Sequence, residues 1–330
     1  MLIAAVALTA FCIAFFALPI IIRKMKAAGI VGNDVNKPGR PMVAEMGGLA
    51  IVMGVIGALL LAIALRTFFG HSFDLNEIMA AMLTMAIIAL IGIFDDLFDM
   101  RKDVKALLPM VAALPLVALA AAESTTISLP FMGSFDFGIF YIVVLIPLGV
   151  TVAANLTNML AGFNGMESGM GAVIFAAVLA LAVANSSTEM GLIAAAMLGA
   201  LVAFLRFNWY PARIFIGDIG TLLIGGALAV CVIIGNLESA GAILVIPYLF
   251  DFAIKAKNRF PSTDWWGEMK EPKEGGKLYP LGNKVRGLCQ LVMKMAGGIS
   301  EQQLSLFFIA TEGLFALLAI LLYGRNLFPP

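Results

Sequence analysis

Three aspartates at the end of a long apolar stretch offer the strongest potential for chemistry in this chain, in the segment GIFDDLFDMR. On a helix, Asp95 and Asp99 share a face because they lie four residues apart, and Asp96 lies about 100° around the axis. Carboxylates at a helix C-terminus oppose the macrodipole, so this cluster predicts a bound cation. The alternative is a solvated helix end that pairs with the basic residues immediately after it.

A second polar cluster, ANLTNMLAGFNGMESG, contains two asparagines, Asn155 and Asn158, whose spacing places them on one helical face. Asn164 and Gly165 follow as a turn dipeptide. Amide oxygens are neutral, hard ligands that suit a metal ion also bound to phosphate. The cluster therefore predicts metal or phosphate binding, and the alternative is an asparagine-rich helix cap and loop.

A lone acid, Asp218, precedes an apolar run in the segment RFNWYPARIFIGDIG. An unpaired carboxylate just inside a membrane helix is costly. A bound metal would remove that cost, so Asp218 is a candidate metal ligand.

Two further segments carry residues suited to a phosphate-rich substrate. DVNKPGRPMVAEMGG supplies Lys37 and Arg40, with Glu45 near the next apolar stretch, and KAKNRFP supplies Arg259. Arginine matches phosphate with two parallel hydrogen bonds. Either segment is also compatible with an ordinary basic loop that attracts anionic lipid head groups.

The elements that must position these residues are apolar stretches of membrane-spanning length. Of the 330 residues, 62% are hydrophobic and 13% are charged, whereas a soluble domain has about 25% charged residues. A membrane-spanning helix needs about 20 apolar residues. The sequence therefore predicts one all-α polytopic membrane domain covering residues 1–330, with ten transmembrane helices. These lie near residues 2–22, 46–65, 77–94, 104–121, 138–154, 167–185, 189–205, 214–235, 240–254 and 302–323.

The lysine and arginine residues predict the orientation of these helices. With the N-terminus outside, the inner loops are 23–45, 95–103, 155–166, 206–213 and 255–301. All basic residues except Arg66 and Arg325 then lie in or next to the inner loops, as expected for cytoplasmic loops. Because the polar clusters lie on the same side, the active site is predicted at the cytoplasmic face. On the outer side, residues 122–137 alternate β-formers around a proline and a glycine, which predicts a small β-hairpin.

Five segments, in this order along the chain, resemble those of one known superfamily. They are DVNK at 34–37, DDLFDMR at 95–101, NLTNMLAGFNGME at 155–167, NWYPARIFIGD at 208–218 and NRFP at 258–261. The chain resembles the polyprenyl-phosphate N-acetylhexosamine-1-phosphate transferase superfamily. Within it, the chain is most similar to the eukaryotic and archaeal UDP-GlcNAc–dolichyl-phosphate GlcNAc-1-phosphotransferases. The resemblance covers nearly the whole sequence.

This resemblance implies a ten-helix fold with one Mg²⁺, or Mn²⁺ in its place, on the pyrophosphate of UDP. Asn158 and Asp218 would be the metal ligands. Asp95 and Asp96 would be the essential acidic pair, and Lys105 would lie near phosphate.

The resemblance also implies the residues that bind the nucleotide-sugar. Glu45 would help to hold it, Asn164 would read the uracil, and Phe215 would pack near the base. Arg259 would meet the pyrophosphate, and Lys37 would lie on the phosphate side. Asn155 and Asp99 would be auxiliary; close eukaryotic relatives tend to have asparagine in place of Asp99. Bacterial relatives often carry histidine-rich motifs where this chain reads KNRFP.

The implied reaction transfers GlcNAc-1-phosphate from UDP-GlcNAc to a polyprenyl phosphate of the dolichyl type and releases UMP. The product, polyprenyl-diphosphate-GlcNAc, begins the assembly of a lipid-linked glycan such as that of N-glycosylation. Direct attack by the lipid phosphate and a phospho-aspartate intermediate are both open. The enzyme would lie in a prokaryotic plasma membrane or in the endoplasmic reticulum. It would contact membrane lipid, bind no nucleic acid, and could form a homodimer through an apolar helix face.

Three alternatives remain for the function. A bacterial-type undecaprenyl-phosphate sugar-1-phosphate transferase would use the same chemistry on another lipid. A membrane prenyltransferase with a DDxxD motif needs a second aspartate-rich motif, where the second half of this chain offers Asp218 and Asp251. A transporter would place ionisable residues along a path through the membrane, whereas here they gather at one surface.

Overall fold

The computed structural model describes residues 1–120, 125–129, 133–260, 266–269 and 276–324. Helices dominate these ranges, and the first seven are α1 (Leu2–Ala27), α2 (Gly48–Phe69), α3 (Leu75–Phe98), α4 (Lys102–Leu107), α5 (Pro109–Ala112), α6 (Leu114–Ala120) and α7 (Ile146–Met159). The others are α8 (Met166–Ala184), α9 (Thr188–Asn208), α10 (Gly217–Ile234), α11 (Glu238–Leu244), α12 (Ile246–Lys257), α13 (Leu288–Met295) and α14 (Glu301–Tyr323). A short π-helix, Tyr141–Leu145, leads directly into α7.

The prediction of an all-α polytopic membrane protein is confirmed. Among the described residues, eight helices are long and apolar enough to cross a membrane, counting Tyr141–Met159 as one. The pair α11 and α12 is bent by 59° and forms a ninth span if both helices are counted together. The predicted span 104–121, the fourth along the chain, is divided into α4, α5 and α6. Pro109 and Pro115 explain this division, because proline lacks the N–H that a continuous helix requires.

Helix α10 lies at the centre of the bundle and packs against α2, α3, α7 and α9. Two glycines permit the closest approaches. A Cβ atom at Gly92 of α3 would lie 2.4 Å from the Cα of Ile219, and one at Gly225 of α10 would lie 2.0 Å from the carbonyl oxygen of Ala153. The backbones of α3 and α7 therefore approach the backbone of α10 closely at these glycines, and their polar ends meet at the beginning of α10.

Short antiparallel sheets occupy three of the connections. β1 (Val31–Asn33) pairs with β2 (Met42–Ala44), with Val31 opposite Ala44. β3 (Thr126–Leu129) pairs with β4 (Gly133–Asp136), which confirms the hairpin predicted in 122–137; residues 122–124 and 130–132 of that segment lie outside the described residues. β5 (Gly267–Glu268), β6 (Lys277–Pro280) and β7 (Ile299–Ser300) form the third sheet in that order. The first and third sheets were not predicted from the sequence.

Candidate active site

A lysine joins two of the predicted acids. The Nζ atom of Lys105, on α4, lies 2.6 Å from Oδ2 of Asp218 on α10 and forms a second ion pair with Asp95 at the end of α3. The backbone N–H of Met100 also donates to Asp95, at 3.0 Å. The side chain of Asp218 is 30% exposed and that of Asp95 only 5%. Asp218 is therefore the acid that remains open to a ligand.

Asp96 faces the first turn of α10. Its Oδ1 accepts a hydrogen bond from the backbone N–H of Asp218 at 2.8 Å, and its Oδ2 accepts one from Ile219 at 3.4 Å. The two neighbouring aspartates of α3 thus have different partners. Asp95 contacts a side-chain cation, and Asp96 contacts the backbone of a helix.

The two predicted metal ligands are neighbours. Asn158, near the end of α7, donates through Nδ2 to Oδ1 of Asp218 and to Oγ1 of Thr221 at 2.8 Å. The other asparagine of this helix, Asn155, donates instead to the carbonyl oxygen of Ala106 at 3.0 Å. Asn155 therefore ties α7 to the helix that carries Lys105. The ligand role of Asn158 and Asp218 stays a prediction.

A cavity of about 250 Å³ opens beside Asp218. Glu45, Asn164 and Phe215, three of the predicted substrate-binding residues, line it together with Asp218. Burial raises the pKa of the Glu45 carboxyl, and the nearby negative charge of Asp218 raises it further. The backbone N–H of Phe215 donates to the carbonyl oxygen of Ala44 at 2.8 Å. This bond joins β2 to the segment before α10, so the two sides of the cavity are held together.

The side-chain amide of Asn164 forms three hydrogen bonds within the protein. Its Oδ1 accepts from Lys37 at 2.9 Å and from the backbone N–H of Ala212 at 2.6 Å, and its Nδ2 donates to Asp34 at 3.2 Å. Its backbone N–H donates to Glu301 at 2.8 Å. Asn164 thus joins its own loop to three other segments, and its contact with a base stays a prediction.

Lys37 is buried at the centre of the same network. Its ammonium forms ion pairs with Asp34 and with Glu301, at 3.0 Å, and lies 4.6 Å from the ring centroid of Tyr210. Lys37 does not line the cavity. The structure therefore gives this lysine internal partners, and its predicted contact with a substrate phosphate remains untested.

Two predicted residues lie apart from the others. Arg259 is exposed at the end of α12 and does not line the cavity; Pro261, the last residue of its NRFP segment, lies outside the described residues. Asp99 is exposed as well, because α3 ends at Phe98 and Asp99 adopts a left-handed conformation with φ 48°. The prediction that Asp95 and Asp99 share a helical face is therefore wrong, since the helix does not continue to Asp99.

Several polar residues of the site were not assigned a role from the sequence. Asp34 and Glu301 hold Lys37, and Glu167 lines the cavity and accepts from the backbone N–H of Gly162. Asn208 accepts from Ser168 at 2.8 Å and donates to the carbonyl oxygen of Ile214 at 3.0 Å. Asp34 and Asn208 stand inside the motif segments DVNK and NWYPARIFIGD, which was the signal available for them. Glu301 had no comparable signal, because its partners lie more than 130 residues away.

The donor set fits a magnesium ion that is shared with a substrate phosphate. Mg²⁺ in such sites is held by one or two protein ligands together with phosphate oxygens and water. Asp218 and Asn158 can provide two oxygens, the latter after rotation of its amide. Within the described ranges, no group of three or more histidine, cysteine, aspartate or glutamate residues is placed to hold a metal by itself. A metal here would therefore depend on the substrate for its remaining ligands.

Comparison with known proteins identifies a matching family and several similar proteins. Residues 78–236 match the glycosyl transferase family 4, and this match includes Asp95, Lys105, Asn158 and Asp218. A provisionally named UDP-N-acetylglucosamine–dolichyl-phosphate N-acetylglucosaminephosphotransferase of Saccharolobus solfataricus is 35% identical over 96% of this chain and 95% of its own length.

More distant relatives are also similar over most of the chain. The UDP-N-acetylglucosamine–dolichyl-phosphate N-acetylglucosaminephosphotransferase of Dictyostelium discoideum is 27% identical over 87% of this chain and 80% of its own length. A phospho-N-acetylmuramoyl-pentapeptide-transferase of Limosilactobacillus fermentum is 30% identical over 74% of this chain and 77% of its own length. The similarity therefore extends to proteins named for two different sugar-phosphate donors.

Proposed function

Because this chain belongs to the glycosyl transferase family 4, we propose that it transfers GlcNAc-1-phosphate from UDP-GlcNAc to a dolichyl-type polyprenyl phosphate. An oxygen of the lipid phosphate forms a bond to the phosphorus that carries GlcNAc. The bond from that phosphorus to the bridging oxygen breaks, and UMP leaves with this oxygen. The relatives from Saccharolobus and Dictyostelium are named for this donor and this lipid, which favours it over a bacterial-type acceptor.

The observation that carries this proposal is the bridge from Lys105 to Asp95 and Asp218. It places a cation between an acid that lines the nucleotide cavity and an acid outside it. Phosphoryl transfer depends mainly on positioning and on neutralising charge on phosphate oxygens. A cation held by two acids beside the cavity is suited to bring the lipid phosphate and the pyrophosphate of UDP-GlcNAc together.

The residues of the chain have distinct roles in this reaction. Glu45, Asn164 and Phe215 hold the nucleotide side, where they line the cavity. Lys105 moves from its acidic partners to a phosphate oxygen when both substrates are bound. Asp95 orients the lipid phosphate or accepts its proton, so that attack is direct. Arg259 reaches the pyrophosphate only if the end of α12 moves, since it is exposed in this structure.

Mg²⁺, held by Asn158 and Asp218, would neutralise the charge that develops on the departing UMP. Asp218 is well placed for this because its carboxylate lies both at the cavity and beside Asn158. The same ligands accept Mn²⁺, which also prefers oxygen donors.

The enzyme lies in a membrane, with its active site proposed at the cytoplasmic face. Large apolar side chains are exposed on α1, α2 and α3, including Phe16, Leu60 and Leu90. Such a surface suits lipid acyl chains and would also suit a homodimer contact. The cytoplasmic placement rests on the distribution of lysine and arginine, and labelling of a cysteine introduced at exposed Lys102 in sealed vesicles would test it.

The decisive experiment measures nucleotide release by the purified chain in detergent or nanodiscs. With UDP-GlcNAc, dolichyl phosphate and Mg²⁺, UMP and a lipid-diphosphate sugar should form together. Release of UDP instead would indicate transfer of the sugar alone, and UMP formed over many turnovers without lipid phosphate would indicate hydrolysis. Either result would contradict the proposal. Radiolabel bound to the protein when the lipid is absent would favour a phospho-aspartate intermediate over direct attack.

A further inference from the structure

The carboxylate of Asp96 contacts the backbone of α10. Its two carboxylate oxygens accept hydrogen bonds from the backbone N–H groups of Asp218 and Ile219. These are the second and third residues of α10. The first N–H groups of a helix have no partner within the helix, and a capping side chain normally bonds to these two positions. Asp96 therefore acts as the cap of α10 from another helix.

Helix α10 has no cap of its own. Its N-cap residue is Ile216, which makes no side-chain hydrogen bond to the first turn. The acid in that turn is Asp218 itself, and its carboxylate is directed to Lys105 and Asn158. A carboxylate from outside supplies what the local sequence lacks, and its negative charge is favourable at a helix N-terminus.

Gly217 provides the space for this contact. Its φ is +69°, a backbone conformation that residues other than glycine rarely adopt. A Cβ atom there would lie 2.5 Å from Oδ2 of Asp96. The backbone at the start of α10 and the carboxylate of α3 thus fit together only because residue 217 has no side chain.

We infer that Asp96 is a positioning residue, which fixes the first turn of α10 and thereby aims the carboxylate of Asp218 at the metal. The part of this inference that concerns the metal rests on the proposed function. The assignment separates the two adjacent acids: Asp95 pairs with Lys105 and acts on the lipid phosphate, whereas Asp96 acts through Asp218. Displacement of a catalytic ligand by about 1 Å can cost about 100-fold in rate, so loss of the cap should be severe.

Three variants test the assignment, namely Asp96→Asn, Asp96→Ala and the control Asp103→Ala, which removes an exposed acid seven residues away. Asparagine is also a good helix cap, whereas alanine is not. The kcat/KM of Asp96→Asn should fall by less than about 100-fold, because the cap is kept. Removal of a general base would cost more, about 100-fold to 10,000-fold. The kcat/KM of Asp96→Ala should be lower than that of Asp96→Asn. Asp96→Ala should also need more Mg²⁺ for half-maximal activity.

A second measurement requires neither substrate nor metal. Hydrogen exchange of the backbone amides at residues 217–221 should be faster in Asp96→Ala and close to that of the parent in Asp96→Asn and Asp103→Ala. A loss of 100-fold or more in Asp96→Asn, with unchanged exchange, would overturn the inference and make Asp96 a reacting acid. If Asp96→Ala does not fold, Asp96→Asn decides by the same limit. If no variant or parent releases UMP, the exchange rates still test the cap while the proposed function fails.

Discussion

The Nζ atom of Lys105 lies 2.6 Å from Oδ2 of Asp218, although the two residues are 113 positions apart in the chain. The same ammonium contacts Asp95. Three helices, α3, α4 and α10, therefore meet at one cation. Lys105 is only partly buried, so a phosphate oxygen can replace one of its partners.

Replacement of Lys105 by methionine should reduce UMP release by about 100-fold or more, because a preorganised charge aimed at the transferring phosphate is lost. Lys105→Arg should retain part of the activity, since the charge remains. Lys102→Met is the matched control, because Lys102 is exposed on the same short helix. Equal activity in Lys105→Met and Lys102→Met would remove Lys105 from the site.

Replacement of Asn158 by alanine should raise the Mg²⁺ concentration for half-maximal UMP release by about 10-fold to 100-fold, the range found when support for a metal site is removed. Asn158→Asp should restore much of the affinity because it keeps an oxygen donor. Asn185→Ala is the control and should behave as the parent. The side chain of Asn185 donates to the carbonyl oxygens of Leu181 and Tyr323, at the end of α8 that lies away from the site. An unchanged Mg²⁺ dependence in Asn158→Ala would place the metal elsewhere.

Removal of divalent metal with EDTA should abolish UMP release, and added Mg²⁺ should restore it. Mn²⁺ should restore it at least in part, since both ions prefer oxygen ligands. The free enzyme offers two side-chain ligands, so a metal-binding assay should detect tight binding only when UDP-GlcNAc is present. Full activity in EDTA would show that Lys105 alone supplies the positive charge.

Gly32→Ala should raise the KM for UDP-GlcNAc by about tenfold with a small change in kcat. This pattern is expected when a contact is lost that binds the substrate and the transition state equally. A Cβ atom at Gly32 would lie 2.0 Å from Oε1 of Glu45, so this carboxylate must move away from its position in the cavity wall. Gly149→Ala is the control, because a Cβ there meets nothing within 4 Å. Unchanged KM in Gly32→Ala would argue against a role for Glu45 in binding.

Lys37→Met should destabilise the protein by about 3 kcal/mol, because it leaves the buried carboxylates of Asp34 and Glu301 without their cation. The midpoint of thermal unfolding in detergent should fall, while Lys24→Met, at an exposed site near the end of α1, should leave it unchanged. If Lys37→Met unfolds like the parent but binds UDP-GlcNAc weakly, the lysine contacts substrate rather than supporting the fold.

Much of this architecture is determined by the sequence alone. The eight long spans and the bent ninth follow from apolar length, because a lipid environment requires about 20 apolar residues per helix. The motif segments were also sufficient to identify Asp95, Asn158 and Asp218 as members of one site. The division of the predicted span at 104–121 was missed, although Pro109 and Pro115 were visible, because hydropathy does not register the loss of a backbone donor.

The tertiary structure decided what each polar residue contacts. The sequence predicts that Asp95 and Asp96 lie about 100° apart on α3, but only the packing shows that they meet Lys105 and the start of α10, respectively. Lys37 resembles a phosphate ligand in the sequence, yet it is enclosed by Asp34, Asn164 and Glu301. Partners separated by more than 100 residues leave no local pattern, because helix packing and not spacing along the chain brings them together. The sequence thus identifies Asp95, Lys105, Asn158 and Asp218 as members of one site, and the packing of α3, α4, α7 and α10 determines what each of them contacts.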